Sequence, residues 1–414
     1  MLSFGLAVRF ILARKRPMMM SLAGIVFGVA FFVITQAQTS GFENFFIRTI
    51  LGTNGAILVS NAFDSEDPSV SHILYDSEGH ILDSQFFENR KRSGVSDPVA
   101  VRSAILDFDE INGISEIYEG RGFLESARNG KSVEVHGIDW FEHSQVSELS
   151  NQIILGRIGD FIEDADTILL GSRVAEALHA KVGERVNLSG GGRSFAYKVC
   201  AIFESGVSDI DKNRVYLSLS DAKSFLGTNQ GGSYFQLSVD HPDKAADLAR
   251  QMQHSLRHRV VSWQEREQVW LDVFKALRFS SGITVSTILL LSGLGMFNTF
   301  AIMVIEKTRD IAILRALGFS PTDISAVFIW QGLILLFFGT LLGAIFGALL
   351  TLGISQLPLQ IRGIFSSDHF VVNWDPWHYV WAIMISTIVV LIACSIPARR
   401  ASKIEPAKII RETL

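Results

Sequence analysis

The sequence predicts an α+β membrane protein with four transmembrane helices and a large mixed α/β domain inserted between helices 1 and 2. Three observations predict it. Two runs, Phe279 to Ile305 and Ile324 to Leu359, hold no Asp, Glu, Lys or Arg, and each exceeds the roughly 20 residues that cross a bilayer. Two further apolar runs begin at Met18 and Trp377. Between the first and second runs, residues 38–278 are polar in character and patterned as short strands and helices. The hydrophobic share of 48% fits this mixture of spanning helices and a water-exposed part, and the net charge of −5 gives no basic character that would suggest nucleic acid.

In chain order, Arg9, Arg14, Lys15 and Arg16 precede the first span, 18–37. A charged start followed by an apolar core resembles a secretory leader, but this core is long enough to span and no small-residue cleavage site follows. An uncleaved helix is expected, with Gly24 and Gly28 permitting close helix contact. Phe42, Phe45, Phe46 and Ile50 continue at helical spacing, so the helix is expected to run outward to Gly52.

The outer region, 38–278 with its helical stalks, reads as mixed α and β. Ala56 to Ser60 is a strand after the Asn54-Gly55 turn, and Phe123 to Ala127 with Ser132 to Ile138 form a hairpin about Arg128 to Lys131. Ser194 to Phe203 alternates as a strand, and helices fit Ser172 to Lys181, Ser220 to Leu226 and Asp243 to His258. Asp64 to Pro98 reads as a long polar insertion. Ser262-Trp-Gln-Glu265 is a capping pattern. It opens a stripe of Val269, Trp270, Val273, Phe274 and Leu277. One helix is expected from Trp263 to Ile305, its stripe packing on the stalk of the first span.

The second span, 279–305, leads into a charged insert, 306–320, and the third span, 321–353. On a helical wheel Ile311, Ile313, Leu314 and Leu317 are read as one side, with Arg309 and Arg315 on the other. Gly318 stops this short helix, and Ser320-Pro-Thr-Asp323 starts the next. Gly339, Gly343 and Gly347 form a flat contact surface in the third span, open to packing within one subunit or between two. A loop, 354–376, leads to the fourth span, 377–396, where Trp374, Trp377, Tyr379 and Trp381 crowd the headgroup boundary. Basic residues cluster before the first span, in the insert and in 397–414. Both termini and the insert are therefore expected in the cytoplasm, and the large region outside. Cys200 and Cys394 then fall on opposite sides of the bilayer and cannot pair.

Motifs for catalysis are weak. Gly130-Lys131-Ser132 ends like a phosphate-binding loop, but Glu125 stands where the first glycine is required. No other stretch offers a nucleotide loop, so no catalytic residue is expected. His254 and His258 share a spacing a metal can use, without the glutamate of a zinc protease, and no metal site is expected.

The layout of one helix, a large outer domain and three helices resembles the transmembrane subunits of ABC transporters of the mechanotransmission type. That group includes lipoprotein-releasing permeases (LolC/LolE type), macrolide exporters and the cell-division permease FtsX. Pro397-Ala-Arg-Arg-Ala401 with Ile404-Glu-Pro-Ala407 is similar to the C-terminal motif of the group. Gly24 to Gly28, Gly41-Phe-Glu43, Ile50-Leu-Gly52, Gly137-Ile-Asp139, Ala201 to Ser205 and Ser366 to Phe370 resemble the lipoprotein-releasing branch. The resemblance implies a dimeric permease of the bacterial inner membrane with a periplasmic outer domain.

It further implies that Glu306, Arg309, Ile311, Leu314, Arg315 and Leu317 form a coupling helix docked on a separate cytoplasmic ABC ATPase. That partner would hold ATP and Mg, and this chain would need no cofactor. The second permease would be identical or homologous, and the outer partner a periplasmic lipoprotein carrier or an adaptor. Lipid-anchored cargo would enter between the first two spans, where Phe42, Phe45 and Phe46 touch acyl chains or pack against the stalk. The alternatives are a macrolide-exporter-type efflux permease working with an adaptor, or a regulator of cell-wall hydrolases. The size of the outer region argues against the last.

Overall fold

A computed structural model describes residues 2–13, 15–61, 94–95, 97–127, 129–357 and 370–404. Residues 64–93 and 96 of the predicted insertion, the Ser366 to His369 stretch and the residues after Ile404 lie outside the described residues, while Pro98, its predicted end, opens a short helix, Pro98–Ile105. The chain divides into two compact units. Among the described residues one comprises 2–13, 15–44, 272–357 and 370–404, and the other 45–61, 94–95, 97–127 and 129–271.

The first unit is helical: α1 (Leu2–Ala13), α2 (Lys15–Asn54, which continues into the second unit), α3 (Gln268–Glu306, which begins there), α4 (Thr308–Ala316), α5 (Pro321–Ser355) and α6 (Pro376–Ser402). Four of these, α2, α3, α5 and α6, are long and apolar enough to cross a membrane. Local chemistry sets their ends. Ser320 caps α5 by accepting from the Asp323 amide while the Asp323 carboxylate accepts from the Ser320 amide, with Pro321 in the first turn. Gly318, at φ 99°, takes the left-handed conformation that ends the preceding turn. Helix α1 was not expected from the basic start of the chain; Ala7 in it is buried, and Phe4 packs edge-on against Trp330.

Helix α3 corrects one expectation. A separate turn, Trp263–Arg266, capped by the Ser262 hydroxyl, ends at Glu267, which leaves helical geometry before α3 begins. The stripe expected to pack does so only in part. Phe274 is buried, whereas Val269 is 76% exposed and Val273 and Leu277 are also exposed. These three recur every four residues along one flank of the helix, about 100° round from Phe274.

The second unit is built on a ten-stranded mixed sheet with short helices on it: β1 (Ile57–Ser60), β2 (Ile111–Glu125), β3 (Gly130–Ile138), β4 (Ile153–Gly156), β5 (Thr167–Gly171), β6 (Arg185–Gly190), β7 (Arg193–Phe203), β8 (Arg214–Ser218), β9 (Gly231–Val239) and β10 (Arg259–Ser262). The order is β10-β1-β9-β2-β3-β8-β5-β7-β4, with β6 pairing β2 and β7. The hairpin β2–β3 is the predicted one, in the register Glu125↔Gly130 to Ile117↔Ile138. Helix Ala245–Ser255 stops three residues short of the predicted end because Leu256 is extended. His254 and His258 therefore do not share a helix face. Cys200 and Cys394 are both buried and free.

Candidate functional site

Helix α4 is a nine-residue segment between two spanning helices. Ile311 and Ala312 are buried, Leu314 packs against the same helical core, and Arg315 donates to the Ser402 carbonyl at 3.3 Å. Lys307, just before it, pairs with Asp310 at 2.7 Å and lies over the Phe10 ring. Arg309, Asp310, Ile313, Ala316 and Leu317 are exposed, Leu317 at 74%. The structure thus corrects the predicted face. Ile311 and Leu314 belong to the inward side together with Arg315, while Ile313 and Leu317 point outward beside Arg309. The outward side mixes two aliphatic side chains with charge. Glu306 is exposed as the last residue of α3 rather than part of α4.

The predicted small residues gather around α2. A Cβ on Gly24 would meet the Ser292 hydroxyl at 2.5 Å, and one on Gly28 would strike Leu289. On the other flank, a Cβ on Gly339 would meet Ile25 at 2.7 Å, one on Gly343 Val29 at 2.8 Å, and one on Gly347 the Ala30 backbone at 3.1 Å. The glycines of α5 thus pack within this chain, against α2. The α2–α3 seam continues through Ser21, whose hydroxyl donates to that of Thr299 at 3.2 Å, and ends in an ion pair between Arg278 and Glu43. Sequence reasoning missed that ion pair, because its partners lie in different segments and only the antiparallel packing joins them.

The three predicted phenylalanines differ in setting. Phe46 is 2% exposed and its ring lies 5.6 Å from that of Trp270. Phe42 meets Phe370 edge-on at 5.5 Å, and Phe45 is half-buried. Beside Phe42, the Asn373 amide donates to the Ala37 carbonyl, and Gly41 allows the Val371 backbone to approach.

In the second unit, one sheet face opens into a cavity of about 1230 Å³. Glu119, Arg121, Glu134, His136, Arg214 and Tyr234 line it, brought together from β2, β3, β8 and β9. Arg214 donates to the Asn54 side chain at 3.0 Å and to the Tyr216 hydroxyl at 3.3 Å. Burial, then the Arg214 charge, holds His136 well below the ordinary histidine pKa, so the ring is neutral. Burial pushes the Tyr234 phenol up.

Two family profiles match the chain. The profile of the FtsX-like permease C-terminal domain matches residues 282–406, and that of the MacB-like periplasmic core domain matches residues 18–255, more than half of the chain. The chain belongs to the MacB-like family. Among relatives of this MacB-like chain, it is 25% identical to the lipoprotein-releasing system transmembrane protein LolC of Neisseria meningitidis serogroup B, over 98% of both chains. It is 24% identical to the corresponding LolE of Haemophilus influenzae over 96% of both. It is 23% identical to the macrolide export ATP-binding/permease protein MacB of Acinetobacter baylyi, over 98% of this chain and 58% of that one. This MacB-like chain is a membrane protein and an ABC-transporter permease.

Proposed function

We propose that this chain is a non-catalytic permease subunit that transmits the motion of a separate cytoplasmic ATPase to its outer domain, releasing lipid-anchored proteins from the inner membrane. The division of α4 carries the reading: its inner side is fixed in the helical core, and its outer side offers Ile313, Leu317 and Arg309 to a partner. The ATPase would hold ATP and Mg, and both termini would share its side of the membrane. Helices α2 and α3, each about 60 Å long, run unbroken from the first unit into the second and would carry the motion outward. A second permease, identical or homologous, would cover the exposed stripe of Val269, Val273 and Leu277. Full-length similarity to LolC and LolE supports a lipoprotein cargo, handed to a periplasmic carrier.

In this reading cargo enters from the outer leaflet between α2 and α3, so the glycine seam is a closed gate. Phe42, edge-on to Phe370, is the residue placed to meet an acyl chain; Phe46 is already covered by Trp270.

ATP hydrolysis by the permease–ATPase complex in proteoliposomes tests the docking. Leu317→Asp and Ile313→Asp should each reduce complex formation and stimulated hydrolysis at least about tenfold, with the permease folded, because a buried charge at an interface centre costs 2 kcal/mol or more. Ile311→Asp should instead fail to fold. Unchanged binding and hydrolysis in both outward variants would refute the docking face. A photo-crosslinker at position 42 should capture lipoprotein, and capture of a soluble adaptor without cargo would favour the macrolide-exporter reading.

A further inference from the structure

The sheet face of the outer unit holds a cluster that the transport reading leaves unused. Glu119 on β2 stands directly opposite His136 on β3, and Glu134 lies two residues before His136 on the same strand. Alternation along strands puts the three side chains on one face. One carboxylate oxygen from each glutamate and one imidazole nitrogen lie within 4.8 Å of one another.

The histidine supplies an independent observation. His136 lines the cavity and is 2% exposed; its Nδ1 meets the Tyr234 hydroxyl at 3.2 Å, and its buried Nε2 has no hydrogen-bond partner among the described residues. A buried ring nitrogen left without a partner loses its hydration for nothing in return, and such an atom in a native fold calls for a ligand. One nitrogen held by a hydroxyl while the other is free is also the arrangement of a metal-bound imidazole, where the outer partner fixes the ring's orientation.

We propose that Glu119, Glu134 and His136 form a zinc site. One imidazole and two carboxylates suit a divalent first-row ion such as zinc, whereas calcium and magnesium favour all-oxygen shells. Zinc would draw the two glutamates inward, and both have room to move: Glu119 is exposed and Glu134 half-buried. A carboxylate can keep an existing partner while it binds the ion, since it offers about four acceptor positions. The fourth position faces the cavity and takes water or a donor from a docked protein. Arg214, in register with Glu134 on β8, adds positive charge beside the ion. Affinity is therefore lower than in a structural zinc site, and the ion is exchangeable.

Untagged full-length protein in detergent, stripped with a chelator and titrated calorimetrically with zinc, tests this. One zinc per chain is expected, with no binding of magnesium or calcium. The Glu119→Gln/Glu134→Gln double variant keeps the shape of both side chains and should lose at least tenfold in affinity while unfolding at the wild-type temperature without zinc. Tyr234→Phe, which removes the outer partner, should weaken binding about tenfold. A His254→Ala/His258→Ala variant should bind as wild type does. Absence of one-to-one zinc binding, or equal binding by the double glutamine variant, overturns the site.

Discussion

The two units bury their side chains by different rules. In the first, glycines let helices approach closely: Gly24 and Gly28 against α3, and Gly339, Gly343 and Gly347 against α2. Large apolar side chains such as Leu291, Leu294 and Phe337 point outward, at 62–69% exposure. In the second, Phe203, Phe225 and Phe235 are fully buried, and polar residues occupy an open sheet face. The surrounding solvent explains the contrast. Lipid is as apolar as leucine, so turning leucine inward gains nothing and close backbone packing decides; in water, removing apolar area decides.

The sharpest way to break this comparison is one truncation made in both units. Phe203 and Phe328 are each 0% exposed. Phe203→Ala loses transfer free energy and leaves a cavity, for a cost of about 3–5 kcal/mol. Phe328→Ala loses packing but little transfer free energy, because lipid or helix surrounds the chain in either state. Hydrogen exchange in the full-length protein should show β7 losing much more protection in the first variant than α5 does in the second. Equal losses would mean that the helical unit is held by burial from water after all.

Enlarging a glycine should reverse that order. Gly343→Ile would place atoms against Val29 and the Val26 carbonyl, and backbone cannot yield as a side-chain end can. A cost of about 1–3 kcal/mol is expected, read as a lower unfolding temperature in lipid nanodiscs. An enlargement on the open face, Gly353→Ala, meets no neighbour within 4 Å and should leave stability unchanged.

Acid should separate the units next. His143 is 1% exposed, with Nδ1 against the Ser115 hydroxyl; burial first, and the Arg214 charge second, lower its pKa to about 3. A histidine depressed in the fold gives its full stabilisation above the unfolded value, about 6.5, and loses it as pH falls toward 3, because the unfolded chain binds the proton first. At pH 5 the second unit should have lost about 2 kcal/mol from this residue. Hydrogen exchange of β2 and helix Trp140–Val146 should report the loss, and His143→Gln should flatten it.

How legible these features were depended on how far apart in sequence their causes lie. Local chemistry could be read directly: Ser320 and Pro321 at the start of α5, Gly318 at φ 99°, and the β2–β3 hairpin. The inward face of α4 could not, because Ile311, Ala312, Ile313 and Leu314 are consecutive and apolar, and a nine-residue helix gives too few turns for a period to emerge. Its orientation is set by the helical core, where Ile311 and Leu314 are held. The zinc cluster was illegible for a related reason. Glu134 and His136 alternate as on any exposed strand, and only the pairing with Glu119 and the hydroxyl of Tyr234 give them a common task.

The smallest expected effect concerns the outer end of the α2–α3 seam. Arg278 is 53% exposed and Glu43 16%, so their ion pair should contribute no more than about 1 kcal/mol to stability. Glu43→Gln should therefore leave the unfolding temperature of the permease nearly unchanged. Its position gives it a second reading. The seam is closed below by Gly28 on Leu289 and Gly24 on Ser292, so cargo moving in from the outer leaflet would have to part the ion pair first. If the seam is the entrance, Glu43→Gln should raise the rate of lipoprotein release severalfold and make it less sensitive to salt, since screening weakens the wild-type pair and has nothing left to weaken in the variant. Unchanged release with unchanged salt dependence would place the entrance elsewhere, and would leave the glycine seam as packing alone.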